Sequence, residues 1–460
     1  MWVRAAKLEP IVESCGGERM SRTWKWVVGI AAALMVAGVL VVLIVIARFV
    51  GAGDSVAAEI ARIKAAGEPV SAADLVGKAI PDSENAAVIY EKAFKLLDAS
   101  HYEKADDVFS RFLDSKERSK DPSLWRQATT MMVGYAGVLA LAGKAAAMPK
   151  CRFPVDWSKG LGYTPRYDYN CYLRFFARLS CARAVLQARA GDTGGALRSI
   201  ALVVRMSNSL KDEPTFIAAL NRGIMIAIAT RALNGVARLG QVGEADARQC
   251  ADTLAGVDFT GSFANGLKGE RAICIITFDL IRSGAVIPGG FDEKEAQTLG
   301  RVYSGVVGRS MLRRDEEYYL SKTRKQIEAA ALPYRLVEPI LGSDTLSDIP
   351  RYALMSAAWL SGSPGEWRAR DRAIAHLAGD QLFLGLLAYR DRFGSYPPSL
   401  ADLKKLKWQL PEDPFSGKPF IYRRQGRGFV LYSIGEDLKD NGGIEPNGSK
   451  PGDIVWKLDK

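Results

Sequence analysis

At 460 residues the chain is too long for one ordinary core, so two or three packing units are expected. A composition of 48% apolar and 25% charged residues excludes a disordered or low-complexity chain. The net charge of +11 suits anionic lipid headgroups, cell-wall polymers or acidic partners, while the lack of a basic run interleaved with aromatics excludes a nucleic-acid-binding motif.

Residues 27–47 (VVGIAAALMVAGVLVVLIVIA) hold no charge over 21 positions, which at about 1.5 Å per residue crosses the roughly 30 Å hydrocarbon layer. They read as a transmembrane helix. Arg4, Lys7, Arg19, Arg22 and Lys25 precede it beside Trp24 and Trp26, whereas Arg48 alone follows closely, so residues 1–26 are expected in the cytoplasm and the rest outside. The run is longer than a signal-peptide core and no A-x-A pattern closes it before Arg48, which favours an uncleaved anchor over a cleaved leader. Gly29, Ala33 and Ala37 stand four apart, a spacing that lets two helices approach closely and that also arises by chance in such spans. Cys15 lies on the inner side, leaving Cys151, Cys171, Cys181, Cys250 and Cys274, an odd number that cannot all pair. Cys171 and Cys181 fall on one helix too far apart to bridge; Cys151 could reach Cys171, or the thiols stay free and buried.

From residue 55 to 370 apolar residues recur at three and four between short Gly, Pro, Asn or Asp punctuation, which predicts an α-helical domain. Helices are expected at 81–99, with Asp82 or Ser83 as N-cap, and at 122–148, 167–190, 193–211, 213–239, 244–255, 265–283, 292–332 and 366–392. Short turns between them imply antiparallel hairpins stacked side by side. ARAGDTGGALRSIALVVRMSNSL (188–210) has a tetratricopeptide-type turn at Gly191-Asp192, but no second copy follows at about 34 residues, so an irregular bundle or solenoid is expected. The 149–166 loop carries Cys151, Phe153, Trp157 and Tyr163, aromatic anchors for a ligand or, more simply, for the loop's own helices. CRFPVDW (151–157) and EPTFIAALNRG (213–223) resemble large envelope proteins of bacteria such as planctomycetes, a resemblance that implies no activity.

Chemistry has little material. His101 and His376 are the only histidines, and no G-x-S-x-G elbow, phosphate-binding glycine loop or C-x-x-C pair occurs. RRDEEYYLSKTRKQIE (313–328) places Asp315, Glu316 and Glu317 among basic residues at helical spacing and reads as a solvated face. Glu270 and Asp279 flank the apolar RAICIITF and could be partly buried, but nine residues apart they point to different sides of one helix.

Residues 371–460 change character. Pro411 and Pro414 stop a helix, Gly417 permits a turn, PFIYRR and GFVLYSI read as a hairpin across Gln425-Gly426-Arg427-Gly428, and DIVWKL adds a third strand. Tyr389-Arg390, Gly394, Tyr396-Pro397, Leu400, Leu403, Leu410-Pro411, Asp413-Pro414-Phe415, Gly417, Pro419, Tyr422, Tyr432-Ser433-Ile434-Gly435, Asp437, Gly442-Gly443 and Asp453-Ile454 stand in the order found in the globular head of the type II secretion major pseudopilin, which this module resembles. The resemblance covers about 70 residues and implies an α+β module with a small antiparallel sheet. It also implies a calcium ion held near Asp437, Asp440 and Asp453, with Asn441 a further oxygen donor. Two features depart from the family: no Glu follows Gly29, and more than 300 residues separate the membrane segment from the head, so processing as a pilin subunit is not expected.

The expected architecture is thus mainly α: an N-terminal transmembrane helix, an irregular helical domain and a pseudopilin-head-like α+β module. The expected role is a membrane-anchored, exported scaffold or interaction protein of the bacterial envelope with protein partners there, seated in the inner membrane. The alternative is a carboxylate-based cell-wall glycan hydrolase or lyase, which would place two carboxylates about 5–10 Å apart in an open groove.

Overall fold

A computed structural model describes residues 22–97, 99–162, 168–284, 293–341, 349–360 and 364–458. Residues 1–21 of the expected cytoplasmic tail, with Cys15, and Tyr163 of the long loop lie outside these residues.

The chain is mainly helical with a small antiparallel sheet at its C-terminal end. α1 runs unbroken from Arg22 to Ala65. Its apolar stretch exposes Leu34, Met35 and Val36, then Val39, Leu40 and Val41. Consecutive residues are 100° apart on a helix, so this exposure runs around the whole circumference. Farther along, Val56 and Ile63 are buried. By length and composition the helix among the described residues that could cross a membrane is 216–239, but more than half of its apolar window is buried, as in a core helix; in α1 the described apolar stretch is the shorter Gly29–Val41.

After α2 (Ala72–Val76) come α3 (Ala86–Lys95), α4 (Ala99–Leu113), which carries His101, α5 (Ser115–Lys120), α6 (Ser123–Gly134) and α7 (Ala136–Ala146). The N-cap of α3 is Asn85, whose Oδ1 accepts from Ala87 N (3.2 Å), rather than Asp82 or Ser83, which form a separate turn of 3-10 helix. The single helix expected over 122–148 is broken at Tyr135. α8 (Asp168–Arg189) and α9 (Thr193–Asn208) pack across the expected turn; Gly191 has φ +90° and Asp192 caps α9 by accepting from Gly195 N at 2.7 Å. α10 (Phe216–Leu239) packs on both, followed by α11 (Glu244–Ala255) and α12 (Phe259–Arg282). α12 starts six residues before the expected 265 because Asp258 caps it, accepting from Gly261 N at 2.8 Å.

The expected helix over 292–332 is two, α13 (Glu293–Ser304) and α14 (Val306–Glu328), separated at Gly305. α15 (Tyr334–Leu341), α16 (Leu354–Trp359) and α17 (Pro364–Phe393) follow. α17 spans the expected domain boundary at 370/371, and one hydrophobic core continues from Ala86 to Leu458 across it. A second core joins Val56 and Ile63 of α1 to Phe278 of α12, Leu312 and Tyr319 of α14 and Met355 of α16.

Beyond α17, Ser399 and Asp402 form a capping box on a 3-10 turn, Leu400–Leu406. β1 (Glu412–Asp413) and β2 (Lys418–Pro419) make a short ribbon. β3 (Ile421–Gln425), β4 (Gly428–Ser433) and β5 (Ile454–Leu458) form the expected antiparallel meander, in register Tyr422 to Leu431 and Leu431 to Trp456. The DPFSG segment joins this sheet to the helices: Asp413, buried, accepts from Phe415 N (3.1 Å) and from Ser433 Oγ (2.7 Å), while Phe415 packs edge-on against Tyr334 of α15.

Candidate functional site

The three aspartates of the C-terminal loop are turned toward its own main chain. Asp453, fully buried, accepts from Asn441 N (3.1 Å) and Gly443 N (2.7 Å), one on each oxygen. Asp437 accepts from Lys439 N and from Asn441 Nδ2, and Asp440 accepts from Gly442 N at 2.8 Å. A calcium ion would need six to eight oxygens converging on one point. Among the described residues no group of three or more His, Cys, Asp or Glu side chains is placed to hold a metal ion. In this arrangement Asp437, Asp440 and Asp453 build turns, with Gly435 at positive φ just before them and Gly442 and Gly443 at positive φ between Asp440 and Asp453.

A second buried acid of the C-terminal module is Asp380, the one carboxylate in the largely apolar run AHLAGDQLFLGLL of α17. Its Oδ1 accepts from Trp456 Nε1 of β5 at 2.7 Å and its Oδ2 from Thr230 Oγ1 of α10 at 2.6 Å. One carboxyl group therefore ties the sheet, the shared helix and the helical domain. Burial pushes its pKa up to about 7 against the two hydrogen bonds that favour the anion. Beside it, a Cβ on Gly379 would overlap the Trp456 indole, so only glycine lets the sheet approach α17 this closely. His376 meets the same indole edge-on, and burial lowers its pKa to about 4.

Other carboxylates lie inside the fold. Asp315 and Glu316, expected on a solvated face, are fully buried, because α14 is enclosed by α1, α12, α13 and α16. Asp315 accepts from Met355 N (2.7 Å) and Ser356 N (2.9 Å) and so caps α16 from another helix. Glu316 pairs with Arg282, and burial raises its pKa to about 7. Glu213, bonded by Tyr169 Oη at 2.9 Å, is likewise raised to about 7 by burial. Glu270 accepts from Phe216 N at the start of α10, whereas Asp279 is exposed and pairs with Arg282. These two acids are not brought together.

Open clefts lie among the described residues, and two of them hold ionisable groups beside apolar walls. One, about 210 Å³, lies between α10, α12 and α17 and is lined by Leu220, Ile224, Phe259, Phe263 and Ala373, with Arg372 and His376 among its polar groups. The other, about 380 Å³, lies between α1 and α14 and holds Ser55, Glu59, Glu317 and Arg324. Glu59 pairs with Arg62 (2.7 Å) and Arg324 (3.2 Å); the Arg62 hydrogen bond is the largest influence holding its carboxyl below the usual range. Glu317 accepts from Ser55 Oγ at 2.7 Å. Glu59 is thus a poor proton donor, and the carboxyls raised to about 7 sit elsewhere in the packed interior.

The aromatic loop is pinned to its own helices: Phe153 stacks on Tyr169 with centroids 4.2 Å apart, and Trp157 is buried. Among the described residues Cys151, Cys171, Cys181, Cys250 and Cys274 form no disulfide with one another, so the bridge considered between the first two is not formed.

No protein-family model, curated protein or solved structure matches this chain.

Proposed function

We propose that this chain is a single-pass scaffold or interaction protein of the bacterial cell envelope. It is anchored in the inner membrane by residues 27–47 with its N-terminus in the cytoplasm, and is accessory to a secretion or surface-assembly apparatus. The observation carrying this reading is α1, which exposes apolar side chains around its full circumference over Gly29–Val41 and then buries Val56 and Ile63 in a core shared with α12, α14 and α16. A helix apolar on every side suits lipid, and Ser55 lies only about 12 Å along the axis from residue 47. The domain would then stand rigidly on its anchor, as a scaffold requires. The alternative glycan hydrolase needs a protonated carboxylic acid in an open groove, and the Arg62 and Arg324 partners of Glu59 weigh against it.

The test is labelling of cells with a membrane-impermeant maleimide after permeabilising only the outer layer. Exposed Cys171 should react and Cys15 should not until the inner membrane is lysed; labelling of Cys15 alone, or of neither before lysis, would overturn the topology. Crosslinking and mass spectrometry of a tagged copy should recover secretion or assembly components. Release of peptidoglycan fragments by the purified chain would replace the scaffold with the enzyme.

A further inference from the structure

The surplus positive charge has a local focus on the helical domain. Trp125 of α6 is contacted by two guanidinium groups, Arg118 of α5 at 5.3 Å and Arg189 of α8 at 4.0 Å from its ring centroid. Arg231 and Arg238 of α10 stand seven residues apart, two turns along one face of a helix that packs on α8 and α4. Asp114 lies close enough to attract both Arg118 and Arg231, and Arg238 close enough to Arg118 for the two like charges to repel. Arg189, Arg231 and Arg238 are exposed and Arg118 half-buried.

Among the described residues none of these four arginines has a carboxylate within 4.0 Å. The nearby acids are engaged elsewhere: Asp114 caps α5 through Lys116 N and Glu117 N, Glu117 pairs with Lys120, and Asp121 pairs with Arg111. Arg118 and Arg238 are steadied by backbone carbonyls, of Phe112 and, at 3.4 Å, of Lys457. A guanidinium resting on an aromatic ring is pre-oriented and keeps its donor edges open, and its planar fork matches phosphate oxygens two at a time.

We propose that Arg118 and Arg189, which flank Trp125, form with Arg231 and Arg238 of α10 a binding surface for a polymer carrying phosphate groups. The two α10 arginines alone stand about 10 Å apart along the axis, wider than one phosphate group, which is why the ligand is a chain of them. Trp125 is already covered by cations, so the surface reads charge and does not stack bases.

The experiment is calorimetric titration of the full chain, in a neutral detergent, with inorganic polyphosphate and with polyglutamate of equal charge. Polyphosphate should bind at least about ten-fold more tightly than polyglutamate, with affinity falling steeply in salt. The exposed triple variant Arg189→Ala, Arg231→Ala, Arg238→Ala should weaken binding by about ten-fold or more and flatten the salt dependence. A control removing the same charge elsewhere, Lys64→Ala, Lys78→Ala, Lys439→Ala, should change it by less than about three-fold. Equal loss in both triples would mean that net charge alone attracts the polymer, and equal affinity for polyglutamate would remove the phosphate assignment. A third variant, with lysine at the three arginine positions, should also bind more weakly; full affinity there would refute the guanidinium fork.

Discussion

Replacing Asp380 by asparagine should make the protein less sensitive to pH and more stable at pH 8. Asp380 is 1% exposed and bonded to Trp456 and Thr230, and burial raises its pKa from 3.8 to about 7. The folded state therefore binds its proton more tightly than the unfolded chain does. Stability is full below about pH 4 and falls as pH rises toward about 7, where the buried carboxyl ionises. At about 1.4 kcal/mol per pKa unit the loss amounts to about 4 kcal/mol. Asparagine can still accept from Trp456 Nε1, and Thr230 keeps its bond to the Ile226 carbonyl at 3.2 Å. Denaturant unfolding of the detergent-solubilised chain, followed by tryptophan fluorescence, should show a small gap between variant and parent at pH 4.5. The gap should widen in favour of Asp380→Asn by up to about 4 kcal/mol at pH 8. Glu213 and Glu316 impose the same trend on both proteins, so the difference isolates Asp380. A gap that does not change with pH, or a parent that gains on the variant as pH rises, would refute the reasoning.

Gly379→Ala should destabilise the same junction by about 1–3 kcal/mol, read from the unfolding midpoint, because its methyl overlaps the Trp456 indole. Asp315→Ala removes the cap of α16 and should cost about 1–3 kcal/mol, with faster proteolysis within residues 349–360 as its local signature. Asp453→Asn should lower the melting temperature equally with and without millimolar calcium, since both carboxylate oxygens serve backbone N–H groups. A calcium-dependent rise in the parent that Asp437→Ala abolishes would restore these aspartates as ligands.

Local chemistry was readable wherever neighbouring residues decided the outcome. The bounds of α11, the Gly191-Asp192 turn, the hairpin across Gly426 and the third strand at Ile454–Leu458 follow from periodicity, glycine and capping side chains within a few positions. The breaks at Tyr135 and Gly305 leave no mark in the periodicity because apolar spacing carries on across them, and Asn85 rather than Asp82 or Ser83 is the cap because its side chain also accepts from Arg152 N, 67 residues away. Asp380 left a signal, one acid inside a long apolar run; its partners on α10 and β5 left none.

Asp315 and Glu316 mark the boundary between the two kinds of knowledge. Arg313 and Arg314 precede them and Lys322, Arg324 and Lys325 follow, so the amino-acid order alone makes them part of a charged, solvated helix face. Four surrounding helices bury them instead and assign one to a distant helix end and the other to Arg282. Helical character, the strand order of the C-terminal sheet and the surplus of cations were determined by the order of residues, because turns, caps and charge act over a few positions. Which acids are buried, that α17 belongs to both halves of the molecule and that Arg118 and Arg189 meet on one tryptophan were decided by tertiary packing, because contacts between residues far apart in the chain leave no periodic trace in it.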